Sequence, residues 1–147
     1  MGKTKVYFEK LRDDVKLPTY ANEGDAGMDV YCPEEIKFSP GDTKVVPLGF
    51  KVAIPEGYEL QVRPRSGMSL KTPFRVANSP GTIDSQYRGE VGVILDHRGS
   101  ELGLSIAKGD RIAQLVLKEV EQCEWEVVDS VDSIGSDRGG GFGSTGK

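Results

Sequence analysis

The sequence predicts a single all-β domain, a barrel or sandwich of short strands with one short helix and a flexible glycine-rich C-terminal tail. Three observations lead there. Turn signals built from Gly, Pro, Asn and Asp recur about every ten residues between short alternating runs. Only residues 66–71 read as a helical turn, with Ser66 as the expected N-cap. The nineteen glycines cluster, most densely at the C-terminal end. At 147 residues the chain can bury one core, and no internal repeat divides it. Residues 1–135 therefore read as the β domain and 136–147 as a tail.

The strands follow in order. Lys5-Val6-Tyr7-Phe8-Glu9 opens the chain, and the turn-rich Asn22-Glu23-Gly24-Asp25-Ala26-Gly27 leads into Met28-Asp29-Val30-Tyr31. Ile36-Lys37-Phe38 and Lys44-Val45-Val46-Pro47 flank a Ser39-Pro40-Gly41-Asp42 turn. Gly49-Phe50-Lys51-Val52-Ala53-Ile54 meets a Pro55-Glu56-Gly57 turn before Tyr58-Glu59-Leu60-Gln61-Val62. Later strands are expected over residues 74–77, 91–95, 111–119 and 123–128, with Trp125, Val127 and Val128 in the core. Proline inside several strands marks sheet edges.

Composition removes several function classes. Hydrophobic residues make up 37% with no long apolar run, so no membrane-spanning helix is expected. The basic start lacks the apolar stretch of a secretion signal, and Val6 does not fit an acylation signal at Gly2. Cys32 and Cys123 lack metal-type spacing and read as reduced thiols, as in the cytoplasm or another reducing intracellular compartment. A net charge of −4 argues against a nucleic-acid backbone as the main ligand, yet a few local arginines can still hold a small polyanion.

The chemistry concentrates in a few stretches. Asn78-Ser79-Pro80-Gly81-Thr82-Ile83-Asp84-Ser85-Gln86-Tyr87-Arg88-Gly89-Glu90 reads as a hairpin that holds the Asp84 carboxylate near the Tyr87 ring. Arg63-Pro64-Arg65-Ser66-Gly67 places two guanidinium groups before a helix start, which suits a phosphate oxygen or, equally, a capped surface helix. Gln114 interrupts an apolar run and needs a partner, either backbone or ligand. Asp29 is either a turn carboxylate or a partner of hydrated Mg²⁺. His97 stands alone and is assigned no role. Arg138 beside Gly139-Gly140-Gly141 suits a clamp that folds over a ligand. Ordering residues 139–146 costs on the order of 10 kcal/mol, while burying Phe142 returns roughly 1.5–3 kcal/mol. The tail is thus expected to order only against a ligand or partner that adds many contacts.

Together and in order these stretches resemble the five motifs of the trimeric deoxyuridine triphosphatase (dUTPase) family. They are Ala26-Gly27-Met28-Asp29-Val30, Pro64-Arg65-Ser66-Gly67, Gly81 through Gly89, Gly109-Asp110-Arg111-Ile112-Ala113-Gln114, and Arg138 through Gly146. The resemblance implies a distorted jelly-roll-like β-barrel, a homotrimer with shared active sites, and hydrolysis of dUTP to dUMP and pyrophosphate. That reaction limits uracil incorporation into DNA and supplies dUMP for dTMP synthesis. By the same resemblance Asp84 activates the water that attacks the α-phosphorus. Asn78, the backbone of Thr82 and Ile83, and a contact near Gly92 read uracil, while Tyr87 packs on deoxyribose. Arg65, Ser66, Gly67 and Gln114 contact phosphates, and Arg138 clamps the γ-phosphate. Phe142 stacks on the base, and Gly143, Ser144 and Thr145 complete the tail contacts. Mg²⁺ is held mainly by the triphosphate, with Asp29 holding one of its waters. One departure is that the family usually has one more residue between the tail Arg and Phe than Arg138-Gly139-Gly140-Gly141-Phe142 provides. A dCTP deaminase, which resembles this fold, and a nucleotide-binding regulatory module are the competing readings.

Overall fold

The computed structural model describes residues 2–143. Its elements are β1 (Tyr7–Lys10), β2 (Gly27–Tyr31), β3 (Ile36–Phe38), β4 (Thr43–Pro47), β5 (Phe50–Ala53), β6 (Tyr58–Arg63), α1 (Ser66–Lys71), β7 (Phe74–Val76), β8 (Gly81–Ile83), β9 (Gly92–His97), β10 (Leu104–Ile106) and β11 (Arg111–Glu119). All strand pairs are antiparallel, in a four-stranded sheet ordered β2-β11-β6-β8, a three-stranded sheet β4-β9-β7, and two-stranded sheets β1-β5 and β10-β3. The nearly all-β content and the jelly-roll-like arrangement match the expected fold class. Among the described residues no helix is long and apolar enough to cross a membrane.

Period-two alternation gives each sheet an apolar and a polar face. β9 buries Val93, Leu95 and His97 and turns the residues between them outward. The core is one cluster in which Phe38 meets Phe74 edge-on at 4.9 Å and Phe8 stacks on Phe50 at 4.5 Å. Pro47 sits at the end of β4, an edge strand, where its missing N–H costs no ladder bond. His97 is buried against Phe74 with both ring nitrogens in use. Its Nδ1 accepts the Gly99 N–H at 3.0 Å and its Nε2 lies 2.9 Å from the Glu101 carbonyl, so the ring ties down the loop that follows.

Three expectations are corrected and one element is added. The first concerns the motif around Asp84, which is not a two-arm hairpin. β8 pairs with β6 in the four-stranded sheet, whereas β9 pairs with β4 and β7 in another. Residues 84–91 therefore carry the chain from one sheet to the other. The second is the helix start, where Arg65 occupies the N-cap position with extended backbone and Ser66 is the first helical residue. Arginine offers no acceptor, so the helix has no side-chain cap. The third is the strand over residues 123–128, which does not form. Trp125 is 87% and Val127 95% exposed, because past Val120, whose N–H bonds the Gly57 carbonyl, the chain leaves the body with no strand to pair with. The added element is β10, a three-residue strand too short to stand out from the Gly-flanked loop around it.

Candidate active site

One face of the four-stranded sheet is polar, and register explains its composition. Asp29 on β2 lies opposite Gln114 on β11, which lies opposite Arg63 on β6. One step along, Gln61 lies opposite Thr82 on β8, and Glu59 opposite Lys118. Directly opposed residues share a face, so these side chains stand together while Leu60, Val62 and Leu115 fill the core behind them.

Asp29 is the electrostatic centre of this face. Its Oδ1 accepts from Arg65 Nε at 2.9 Å and its Oδ2 lies 3.5 Å from an Arg111 nitrogen. The Asp29 and Arg65 side chains are only about one-fifth exposed, so the pair is better shielded from water than a surface ion pair. Asp29 is therefore a strand carboxylate locked to two arginines, not a turn residue. Arg111 was not among the expected site residues, and its place opposite Tyr31 at a register shift of β11 gave no sequence signal. Gln114 has a backbone partner, since its Nε2 donates to the Pro64 carbonyl at 3.1 Å. Gly27 makes this possible, because a Cβ there would collide with the Gln114 side chain. Thus three motifs far apart in sequence are fastened together at the start of α1, where Ser66 and Gly67 present backbone N–H groups without a side-chain cap.

The second group lies at the other end of β8. Ile83 is paired with Leu60, so Asp84 emerges beside the Glu59 end of β6. From there to Arg63 is four strand steps, about 13 Å, and Ser66 lies beyond the strand. Within one chain the Asp84 carboxylate is thus held away from the Ser66-Gly67-Gln114 cluster. Asp84 is exposed, and among the described residues its carboxylate has no hydrogen-bond or ion-pair partner. Its carbonyl accepts the Tyr87 N–H at 3.1 Å in a tight turn. Tyr87 Oη donates to the Glu90 carbonyl at 2.8 Å, and its ring fills the space where a side chain at Gly89 would stand. Glu90 in turn accepts the Gly49 N–H at 2.8 Å, which pins the end of the loop to the body.

Asn78 rests its amide against Gly81, 3.1 Å from where a Cβ would project. β8 is an edge strand, so part of the Gly81-Thr82-Ile83 backbone faces away from β6 with no ladder partner. Gly92 faces β4 closely, and a side chain there would press on Val45. Arg138 and Phe142 are fully exposed and touch neither group, with Phe142 at φ 49°. Gly143 is exposed as well, and Ser144 and Thr145 lie outside the described residues. No three His, Cys, Asp or Glu side chains converge as a metal cage among the described residues. Both cysteines are free, Cys32 buried and Cys123 exposed.

Comparison with known proteins gives the family and the fold. The dUTPase family model matches residues 13–146. The chain is 50% identical over 137 residues to the deoxyuridine 5'-triphosphate nucleotidohydrolase of Desulfotalea psychrophila, covering 91% of this chain and 89% of that protein. It is 47% identical over 148 residues to the enzyme of the same name from Wolinella succinogenes, covering 100% and 97%. Among solved structures, the dUTPase of Staphylococcus bacteriophage 80alpha with dUPNHPP superposes with a TM-score of 0.87 at 28% identity, covering 99% of this chain and all of that one. A mutant dUTPase from phage phi11 of S. aureus, whose structure reveals the coordination of a structural Mg(II) ion, gives a TM-score of 0.77 at 25% identity over 88% of this chain and 99% of that one.

Proposed function

The chain belongs to the dUTPase family, and from that premise we propose that it hydrolyses dUTP to dUMP and pyrophosphate in a site completed by more than one copy of the chain. The observation that carries the multi-chain reading is the separation between the partnerless Asp84 carboxylate and the Ser66-Gly67-Gln114 cluster. A second copy can bring its Asp84 to the first copy's phosphate cluster, which one chain alone does not do. The exposed apolar groups Trp125, Val127, Val131 and Ile134 support an assembly that covers them, and a homotrimer is the form the family implies.

Phosphoryl transfer leaves the protein mainly to position and to stabilise charge. Asp84 orients a water for in-line attack on the α-phosphorus and takes its proton. Asn78 and the open edge of β8 read uracil through fixed N–H and C=O groups, with the strand end at Gly92 close by. Cytosine would set donor against donor there, at about 1–3 kcal/mol for each buried group left unpaired. Tyr87, braced on Gly89, packs under the sugar and leaves no room for a 2'-hydroxyl. The amides of Ser66 and Gly67, with Gln114 and Arg65, meet the phosphates. Arg65 does so from its ion pair with Asp29. Arg138, Phe142, Gly143, Ser144 and Thr145 close over the nucleotide as the tail of residues 136–147 orders.

The donor set fits Mg²⁺ carried on the triphosphate rather than caged by side chains, because among the described residues no three acidic or metal-type side chains converge and the Asp29 oxygens are already shared with arginines. Asp29 would then hold one water of the bound ion, which supplies charge neutralisation. The test is pyrophosphate release with Mg²⁺ from dUTP, UTP, dCTP and dTTP. Release from dUTP at least tenfold faster than from each of the others is expected, since one unpaired buried group already costs about that factor. Absence of release from dUTP would end the reading, and ammonia from dCTP would assign a deaminase instead.

A further inference from the structure

Arg63, one of the two guanidinium groups before α1, stands on the polar face and takes no part in the proposed reaction as described above. It lies directly opposite Gln114, in the row that Asp29 completes. Its Nε and one terminal nitrogen both donate to Gln61 Oε1, at 3.0 and 2.8 Å. Gln61 thereby fixes the plane of the guanidinium but carries no charge. Arg65 and Arg111 have the Asp29 carboxylate, whereas Arg63 has no carboxylate within ion-pair distance among the described residues. Gln61, Arg63, Pro64, Ser79, Pro80 and Gln114 line an open cleft of about 520 Å³, and none of these six is acidic. A half-buried guanidinium held by a neutral amide is a standing anion site, because a planar fork loses little freedom on meeting a phosphate.

We propose that Arg63, braced by Gln61, binds the phosphates distal to the scissile bond and then the departing pyrophosphate. The proposal rests on the dUTPase reading above. As the bond between the α-phosphorus and its bridging oxygen breaks, the electron pair stays on pyrophosphate, and Arg63 meets that charge. Gln61 is a positioning residue in this arrangement, since it acts through Arg63. The chemistry recognised is a diphosphate group, not the nucleoside.

The test follows dUMP formation chromatographically in the full-length protein with Mg²⁺, with inorganic pyrophosphate or dUMP added as inhibitor. Arg63→Gln should raise the inhibition constant for pyrophosphate about tenfold or more, the usual effect of removing a charge-assisted bond, and leave that for dUMP within about twofold. Arg63→Lys keeps the charge but not the fork and should fall between, and Gln61→Ala should weaken pyrophosphate about threefold. An unchanged constant for pyrophosphate in Arg63→Gln overturns the proposal. So does equal weakening of pyrophosphate and dUMP, or a change in molecular mass with pyrophosphate binding intact, which would make Arg63 a contact between copies. If Arg63→Gln fails to fold, Arg63→Lys and Gln61→Ala decide by the same comparison. Wild-type protein that forms no dUMP would instead overturn the underlying reading, and is told apart because no variant is needed to see it.

Discussion

Asp84 and Asp29 are both carboxylates of the matched motifs, and their surroundings divide their roles. Asp29 sits in a strand between Arg65 and Arg111, so its charge is spent on holding three motifs together. Asp84 follows an edge strand, exposed and without a partner among the described residues, and in the proposed reaction it binds a water. Asp84→Asn should lower turnover about a thousandfold or more while dUTP still binds, because general-base assistance contributes on the order of 10²–10⁴. Steady-state kinetics beside calorimetric binding checks this, and near-normal turnover would remove Asp84 from the mechanism. At this scale the sequence was most informative where chemistry depends on residue type. Asp84, Tyr87 and Gln114 are singled out by residue type alone, yet the Asp29–Arg65–Arg111 cluster is hidden. It depends on register between β2, β11 and the end of β6, which no local pattern encodes.

Elements were legible in proportion to how local their causes are. The spans of α1 and β11 are as the sequence implied although the N-cap of α1 is not, and the Lys108-Gly109-Asp110 turn before β11 marks where it starts. The link between β8 and β9 reads as a hairpin but crosses between sheets, because turn residues announce a reversal without saying which strand the chain pairs with afterwards. The alternation over residues 123–128 likewise promises a buried face but not its partner, and none is supplied within the chain. β9 is the opposite case, with Val93 and Leu95 both fully buried between β4 and β7. Leu95→Ala should cost about 2–5 kcal/mol, read as a lowered midpoint in denaturant at constant slope. A loss below about 0.5 kcal/mol would show that this sheet is not part of the cooperative core.

For the whole molecule, the proposed reaction needs a body that folds and a tail that acts. Residues 136–140, 142 and 143 are exposed, and Arg138 and Phe142 make no hydrogen bond or ion pair with either half of the candidate site. Removing the chain from Arg138 onward should leave the melting temperature within a few degrees and reduce turnover about a hundredfold or more, the scale set by lost positioning. A large drop in melting temperature, or full activity, would contradict that division. The central claim is that the water-activating carboxylate and the phosphate cluster serving one nucleotide belong to different copies of the chain. It is tested most directly by mixing Asp84→Asn protein with Arg65→Ala protein, which loses the guanidinium of the phosphate cluster, after verified subunit exchange. Mixed assemblies should recover a measurable fraction of wild-type turnover from two inactive parents, whereas no recovery would mean that each chain completes its site alone.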